Sequence, residues 1–117
     1  PASGVIYSGT YWDLDDEAIL TDFRIFKTKV TSGTDNAAWS PTDTAMLSFI
    51  TNLSFFNFTD DINSQTSELV NIGKAYTAPQ GKLWVQAVTR GAPTIAAANL
   101  PRFQIQVLSD DPEWQER

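Results

Sequence analysis

The feature that most constrains this fold is residues 45–58, AMLSFITNLSFFNF, the longest nearly uncharged run in the chain. It carries four of the seven phenylalanines. Because apolar side chains at this density must leave water, other parts of the chain have to cover them. The run therefore sets the main packing problem of the fold.

Residues 45–58 can be interpreted as a helix or as a strand. In a helix, one face would carry apolar residues at spacings of three, four and seven, and Ser40-Pro41-Thr42-Asp43 would start it with Ser40 as the N-cap. In a strand, apolar side chains would emerge on both faces, and both would need cover. Phe, Ile, Thr, Asn and Ser are mediocre helix formers. We therefore predict one strand, or two broken near Thr51-Asn52, with a helix over residues 41–56 as the alternative.

Length and charge indicate one acidic domain. The 117 residues suit a single domain, which we place at 1–117 with polar terminal segments 1–4 and 110–117. The chain has 8 basic and 14 acidic residues, which gives a net charge of −6. Such a balance repels a phosphate backbone, and there is no basic stripe to offset it. We expect no direct binding of nucleic acid.

Composition also excludes several kinds of chemistry. The chain has no cysteine and no histidine, so it has no disulfide, thiol nucleophile, Cys/His zinc site or Ser-His relay. A two-carboxylate pair is conceivable, Asp15 with Asp60 or Asp22 with Asp61, but the spacing favours neither. We predict that the protein is not an enzyme. No run approaches ~18 apolar residues and no signal peptide is visible, so we expect no membrane insertion.

The remaining patterns favour β-structure. Strands are predicted where short alternating segments lie between polar turns, namely at residues 5–7, 20–31, 67–77, 82–90 and 102–109. In the segment 20–31 the apolar residues from Phe23 onward change from odd to even positions between Ile25 and Phe26. A β-bulge there would keep them on one face of the strand. Ala78-Pro79-Gln80-Gly81 is a strong turn signal and predicts a hairpin between its flanking strands. The sum is an all-β fold, an antiparallel β-sandwich or jelly-roll-like domain, with an α+β domain as the alternative.

An acidic cluster follows the first strand. Asp13, Asp15, Asp16 and Glu17 lie within five positions and could supply oxygen ligands to a structural calcium ion. The cluster lacks the spaced ligands and the glycine of a helix-loop-helix calcium loop. A solvated turn is the alternative interpretation. No other cofactor is indicated.

Aromatic placement suggests a possible glycan site. Trp12 and Trp39 fall in predicted polar loops, with Asp13, Asp15, Asp35 and Asn36 nearby. An aromatic platform with a few hydrogen-bonding groups suits a sugar ring. The segments APQGKLWVQAV (78–88) and RFQIQV (102–107) resemble the closing strands of small soluble bacterial galactose-binding lectins. That resemblance implies a carbohydrate-binding module, but no acidic calcium turn lies between the two segments, and no site residue is carried over.

Our first functional hypothesis is a structural subunit. As a strand, residues 45–58 would carry apolar side chains on both faces, and residues 91–101 form an uncharged segment rich in small residues. Together these segments suggest more apolar surface than one small sandwich can bury. We therefore expect a homo-oligomer or a larger protein assembly, with a virion coat, decoration or tail protein as the leading example. A virion or extracellular location is favoured. A lectin-like module that uses the tryptophans is the alternative.

Overall fold

The computed structural model describes residues 2–14, 20–30, 40–89 and 101–110, and these form a two-sheet sandwich. All strand pairings are antiparallel, so the predicted all-β sandwich is confirmed. The elements within the described ranges are β1 (Ala2–Asp13), β2 (Thr21–Phe26), α1 (Asp43–Met46), β3 (Phe49–Phe55), β4 (Thr59–Asp60), β5 (Gln65–Leu69), β6 (Lys74–Ala78), β7 (Trp84–Thr89) and β8 (Arg102–Ser109).

Sheet A is built around β1. One edge of β1 pairs with β5 and β6, the other edge pairs with β8, and β4 extends the sheet beyond β5. The strand predicted at residues 5–7 is present but longer, because β1 runs from Ala2 to Asp13 and continues through Gly9 and Thr10. Gly9 serves packing: a Cβ there would lie 3.3 Å from Cζ of Phe55. Residues 2–4 belong to this strand and pair with β6.

The strand predicted at 67–77 is two collinear strands, β5 and β6, separated by a short excursion of residues 70–73. Asn71 and Gly73 adopt positive φ angles of 56° and 67° there. The backbone N–H of Ile72 still donates to the carbonyl oxygen of Tyr7, at 3.0 Å. Tyr7 also marks the register shift between β1 and β8. Both ladders of β1 are thus irregular at the same residue.

The helix alternative for residues 41–56 is wrong. The start signal does begin a helix, but Thr42 rather than Ser40 is the N-cap, with its Oγ1 accepting from the N–H of Ala45 at 3.1 Å. The helix ends at Met46, and β3 follows from Phe49 to Phe55 without a break at Thr51-Asn52. Pairing with β2 and burial between the sheets thus override the helical spacing of the apolar residues.

The bulge predicted near Ile25-Phe26 exists, but the extra residue belongs to β3. Ile25 lies opposite Thr51 and Phe26 lies opposite Phe49, which leaves Ile50 unpaired. The bulge turns Ile50 into the core, where it is 7% exposed. Ile25 and Phe26 simply alternate, one facing sheet A and the other facing the opposite side of sheet B.

The hairpin predicted across residues 78–81 is wrong, although the turn itself forms. The N–H of Gly81 donates to the carbonyl oxygen of Ala78 at 2.9 Å, and Gly81 has a φ of 73°. However, β6 pairs with β1 in sheet A, whereas β7 pairs with β2 in sheet B. Ala78 ends β6 as a buried residue, and the exposed residues 79–82 then carry the chain from sheet A to sheet B.

An aromatic cluster joins the two sheets. Phe23 of sheet B stacks on Phe103 of sheet A, with ring centroids 4.0 Å apart and planes 4° apart. Tyr11 meets Phe23 edge-on at 5.4 Å, and Phe55 meets Phe23 edge-on at 5.6 Å. The aliphatic residues buried with these rings are Ile6, Ile25, Ile50 and Leu53.

Candidate functional site

Trp12 lies on the outer face of sheet A and not in the polar loop that the sequence predicted. It is the penultimate residue of β1 and is half-buried. Thr66 of β5 lies opposite it on one side, and Arg102 of β8 lies opposite it on the other. Directly opposed residues of antiparallel strands share a face. The outer face therefore carries an indole ring between a hydroxyl and a guanidinium group.

A groove of about 600 Å³ runs past this ring. It is lined by Trp12, Leu14, Arg102, Phe103 and Gln104. The groove combines an aromatic side chain with a fixed positive charge and an amide, the mixture that holds a sugar ring or a small carboxylate. Sequence reasoning missed Arg102 and Gln104 as site residues. The strict alternation of residues 102–109 predicted that both face outward, but nothing in it indicated that β8 lies beside Trp12.

Asp13 does not join Trp12. Adjacent residues of a strand point to opposite faces, so Asp13 faces the interior of the sandwich, where it is 5% exposed. The structure thus separates this pair, which the sequence grouped in one candidate site. The groove carries a basic residue in place of the predicted acidic one.

The other predicted site residues lie outside the described residues. These are Trp39, Asp35 and Asn36 of the glycan hypothesis, Asp15 of both hypotheses, and Asp16 and Glu17 of the calcium hypothesis. Within the ranges that the structure describes, no group of three or more His, Cys, Asp or Glu side chains could hold a metal ion. Calcium binding by the cluster at 13–17 stays a prediction.

Asp22, the acidic residue of β2, belongs to a set of hydrogen-bonded polar side chains on the outer face of sheet B. The Asp22 carboxylate accepts a hydrogen bond from the hydroxyl of Ser54 at 2.7 Å, and that hydroxyl accepts from the amide of Asn52 at 2.7 Å. Beside it, the Arg24 guanidinium lies 4.8 Å from the centre of the Phe49 ring. Asp22 is only 8% exposed. Its buried, hydrogen-bonded carboxylate stabilises the contact between β2 and β3.

The outer face of sheet B is also covered in part by its own chain. Phe26 is fully buried on that face, and Val30 is buried just beyond the end of β2. The amide of Gln86 donates to the carbonyl oxygen of Val30 at 2.7 Å, which ties the segment after β2 to β7. Each face of sheet B is therefore packed in part, although Phe56 of the apolar run 45–58 stays 66% exposed.

Among the strands that the structure describes, β8 lies at an outer edge of sheet A. Its eight residues pair with β1 on one side, and none of the residues that the structure describes pairs with the other side. Val107 and Leu108 on this strand are 40% and 61% exposed. Between Arg102 and Asp110 the strand carries no charge and no proline.

No protein-family model, curated protein or solved structure matches the chain. Within the described residues, no helix is long and apolar enough to cross a membrane.

Proposed function

We propose that this chain is a non-enzymatic structural subunit that assembles with copies of itself or into a larger shell. The supporting observation is the outer edge of β8. An exposed strand edge presents a row of backbone N–H and C=O groups, to which another strand can add. A virion coat, decoration or tail protein is the kind of subunit that such an edge suits.

The composition of β8 strengthens this proposal. Monomeric proteins protect long edges with lysine, proline, a bulge or a very short strand. In sheet A, β4 has two residues and β6 begins with Lys74, so both of these strands have such protection. In contrast, β8 is eight residues long and uncharged from Phe103 to Ser109. An edge of this kind is suited to pairing with another chain.

Exposed apolar side chains elsewhere add to the surface available for contacts between subunits. Phe56 is 66% exposed, Val70 64%, Ile62 83% and Leu47 84%. A large assembly can use several such patches at once. The net charge of −6 supports a position away from the genome in any such particle, because acidic surfaces repel phosphate.

Two negative charges on the β8 edge should abolish assembly. Gln106→Glu with Leu108→Glu changes exposed residues only, so the sandwich should stay folded while a neighbouring edge is repelled. We expect analytical ultracentrifugation to show the variant at 13.0 kDa and the wild type in a heavier species.

The matched control is Asn63→Glu with Gln80→Glu, which adds the same charge at exposed positions outside β8. This control should assemble as the wild type does. If the β8 variant assembles as well as this control, the open edge is not what drives assembly.

A second candidate function is glycan binding in the groove beside Trp12. The observation that favours it is the grouping of Trp12, Arg102 and Gln104 on one exposed sheet face. Sugars pack an apolar face on an aromatic ring and use polar neighbours for their hydroxyl groups. This arrangement differs from the one predicted from sequence, because Arg102 and Gln104 replace the acidic residues.

Trp12→Ala should weaken any glycan retention about fivefold, since an aromatic contact contributes about 1 kcal/mol beyond area burial. Trp12→Phe keeps an aromatic ring and should retain most of the binding. A glycan array scored with the wild type and both variants measures this. Absence of wild-type binding across the array would remove this candidate.

A further inference from the structure

We propose that two copies of the chain pair through their β8 edges in a single antiparallel register, with Gln106 of each copy opposite Gln106 of the other. The inference rests on the proposed assembly function and specifies its interface. It joins the two A sheets into one continuous sheet across a two-fold axis.

Geometry restricts the possible registers. Two identical antiparallel strands related by a two-fold axis pair residues that lie at equal distances from that axis. Opposed residues must also share a face if the inner faces of both sheets are to stay inward. The two-fold axis must therefore lie at a position where a residue is directly opposite its own copy. It cannot lie midway between two successive residues of the strand. Only a few such registers overlap most of β8.

Charge complementarity selects one of these registers. With the axis at Gln106, Arg102 of each copy lies opposite Asp110 of the other, so the interface contains this pair twice. With the axis at Ile105, Arg102 would face Leu108, and with the axis at Val107, Asp110 would face Gln104. Arg102 and Asp110 are both exposed, and a guanidinium group opposite a carboxylate can form two hydrogen bonds. The two pairs also offset part of the repulsion between acidic subunits.

The same register covers the exposed aliphatic side chains of the edge. On the inner face, Val107 lies opposite Ile105 of the second copy. On the outer face, Leu108 lies opposite Gln104. Val107 and Leu108 are 40% and 61% exposed in the single chain. Cross-strand pairs of this kind each contribute roughly 0.2–1 kcal/mol.

A cysteine at the axis tests the register directly, because the chain has no native cysteine. In Gln106→Cys the two thiols should lie on directly opposed residues whose Cα atoms are about 5 Å apart, which is within the range that a disulfide spans. We expect mild oxidation of the full-length variant to give a covalent dimer of twice 13.0 kDa on non-reducing gels. Far less dimer should form at low protein concentration.

Three controls make the result specific. In Gln104→Cys the two thiols would lie four residues apart along the strands, about 13 Å, which is too far for a disulfide. A mixture of Gln104→Cys and Leu108→Cys should cross-link, because those residues oppose each other. Ala87→Cys places an exposed thiol on β7 in sheet B and should give no more than background dimer.

The outcomes separate this inference from the proposed function. If wild-type protein assembles but Gln106→Cys does not cross-link, or Gln104→Cys cross-links equally well, this register is wrong and the assembly function stands. If the wild type is a 13.0 kDa species at all concentrations, both proposals fail. As a second measurement, Arg102→Glu and Asp110→Arg should each weaken assembly, and the double variant should restore it. Failure of that rescue would also overturn the register.

Discussion

Phe55→Ala is expected to lower the free energy of unfolding by about 3–5 kcal/mol, which is a large part of the stability of a domain of this size. Phe55 is 1% exposed and lies on β3 of sheet B. Its ring centroid is 5.8 Å from that of Tyr11 and 6.0 Å from that of Phe103, both in sheet A. Truncation leaves a cavity where the two sheets meet, and a packed core refills such a space only partly.

Urea unfolding followed by circular dichroism measures this loss. The neighbouring residue provides the control, because Phe56 is 66% exposed and its truncation removes little buried surface. Phe56→Ala should change the free energy of unfolding by less than about 0.5 kcal/mol. Similar losses for the two variants would mean that the aromatic cluster does not join the sheets as described.

Gly4→Ala should destabilise the fold by about 1–3 kcal/mol, although it adds one methyl group. A Cβ on Gly4 would overlap the carbonyl oxygen of Leu108 and would lie 2.9 Å from the hydroxyl of Tyr76. The Leu108 oxygen belongs to the backbone of β8, so the strand itself has to move. The change therefore weakens the pairing of β1 with β8 and, through it, the position of the β8 edge.

Thermal unfolding of Gly4→Ala beside Thr77→Ala tests this expectation. Thr77 is exposed on the adjacent strand β6, where loss of its side chain costs little. We expect a lower Tm for Gly4→Ala only, by roughly 4–8 °C for each kcal/mol lost. Equal Tm values for Gly4→Ala and the wild type would contradict the close approach of β8 to β1.

The sequence patterns predicted which segments become strands better than they predicted how strands pair. Alternation in residues 102–109 predicted β8, and its inward residues Phe103 and Ile105 do pack against the core. The turn at residues 78–81 was also predicted correctly. Its flanking strands nevertheless enter different sheets, because a period of two fixes the face of each side chain and not the neighbouring strand.

Irregular positions limited the remaining fold predictions. Ile50 is buried because of a bulge that depends on β2, and Gly9 is part of a continuous strand because it pairs with Leu69 of β5 and Ile105 of β8. Both effects come from residues distant in sequence. The start signal at residues 40–43 indicated a helix with Ser40 as the N-cap, two residues before the observed cap at Thr42, and gave no sign that the helix would end at Met46.

The candidate sites show the same limit. Trp12 lines a groove, but the acidic residues after it suggested a loop, and the strand that holds it depends on pairing with β5 and β8. Arg102 could join the groove only once β8 was known to lie beside β1. The position of β8 at the edge of sheet A could not be predicted from the sequence either, because alternation does not indicate whether a strand is central or outermost.

The most direct test of the proposed function is the mass of the untagged, full-length wild-type protein in solution, measured by light scattering at two concentrations in the micromolar range. We predict a mass of at least twice 13.0 kDa that increases with concentration or reaches a closed assembly. A single species of 13.0 kDa at both concentrations would contradict the assembly function and leave the groove beside Trp12 as the site to pursue.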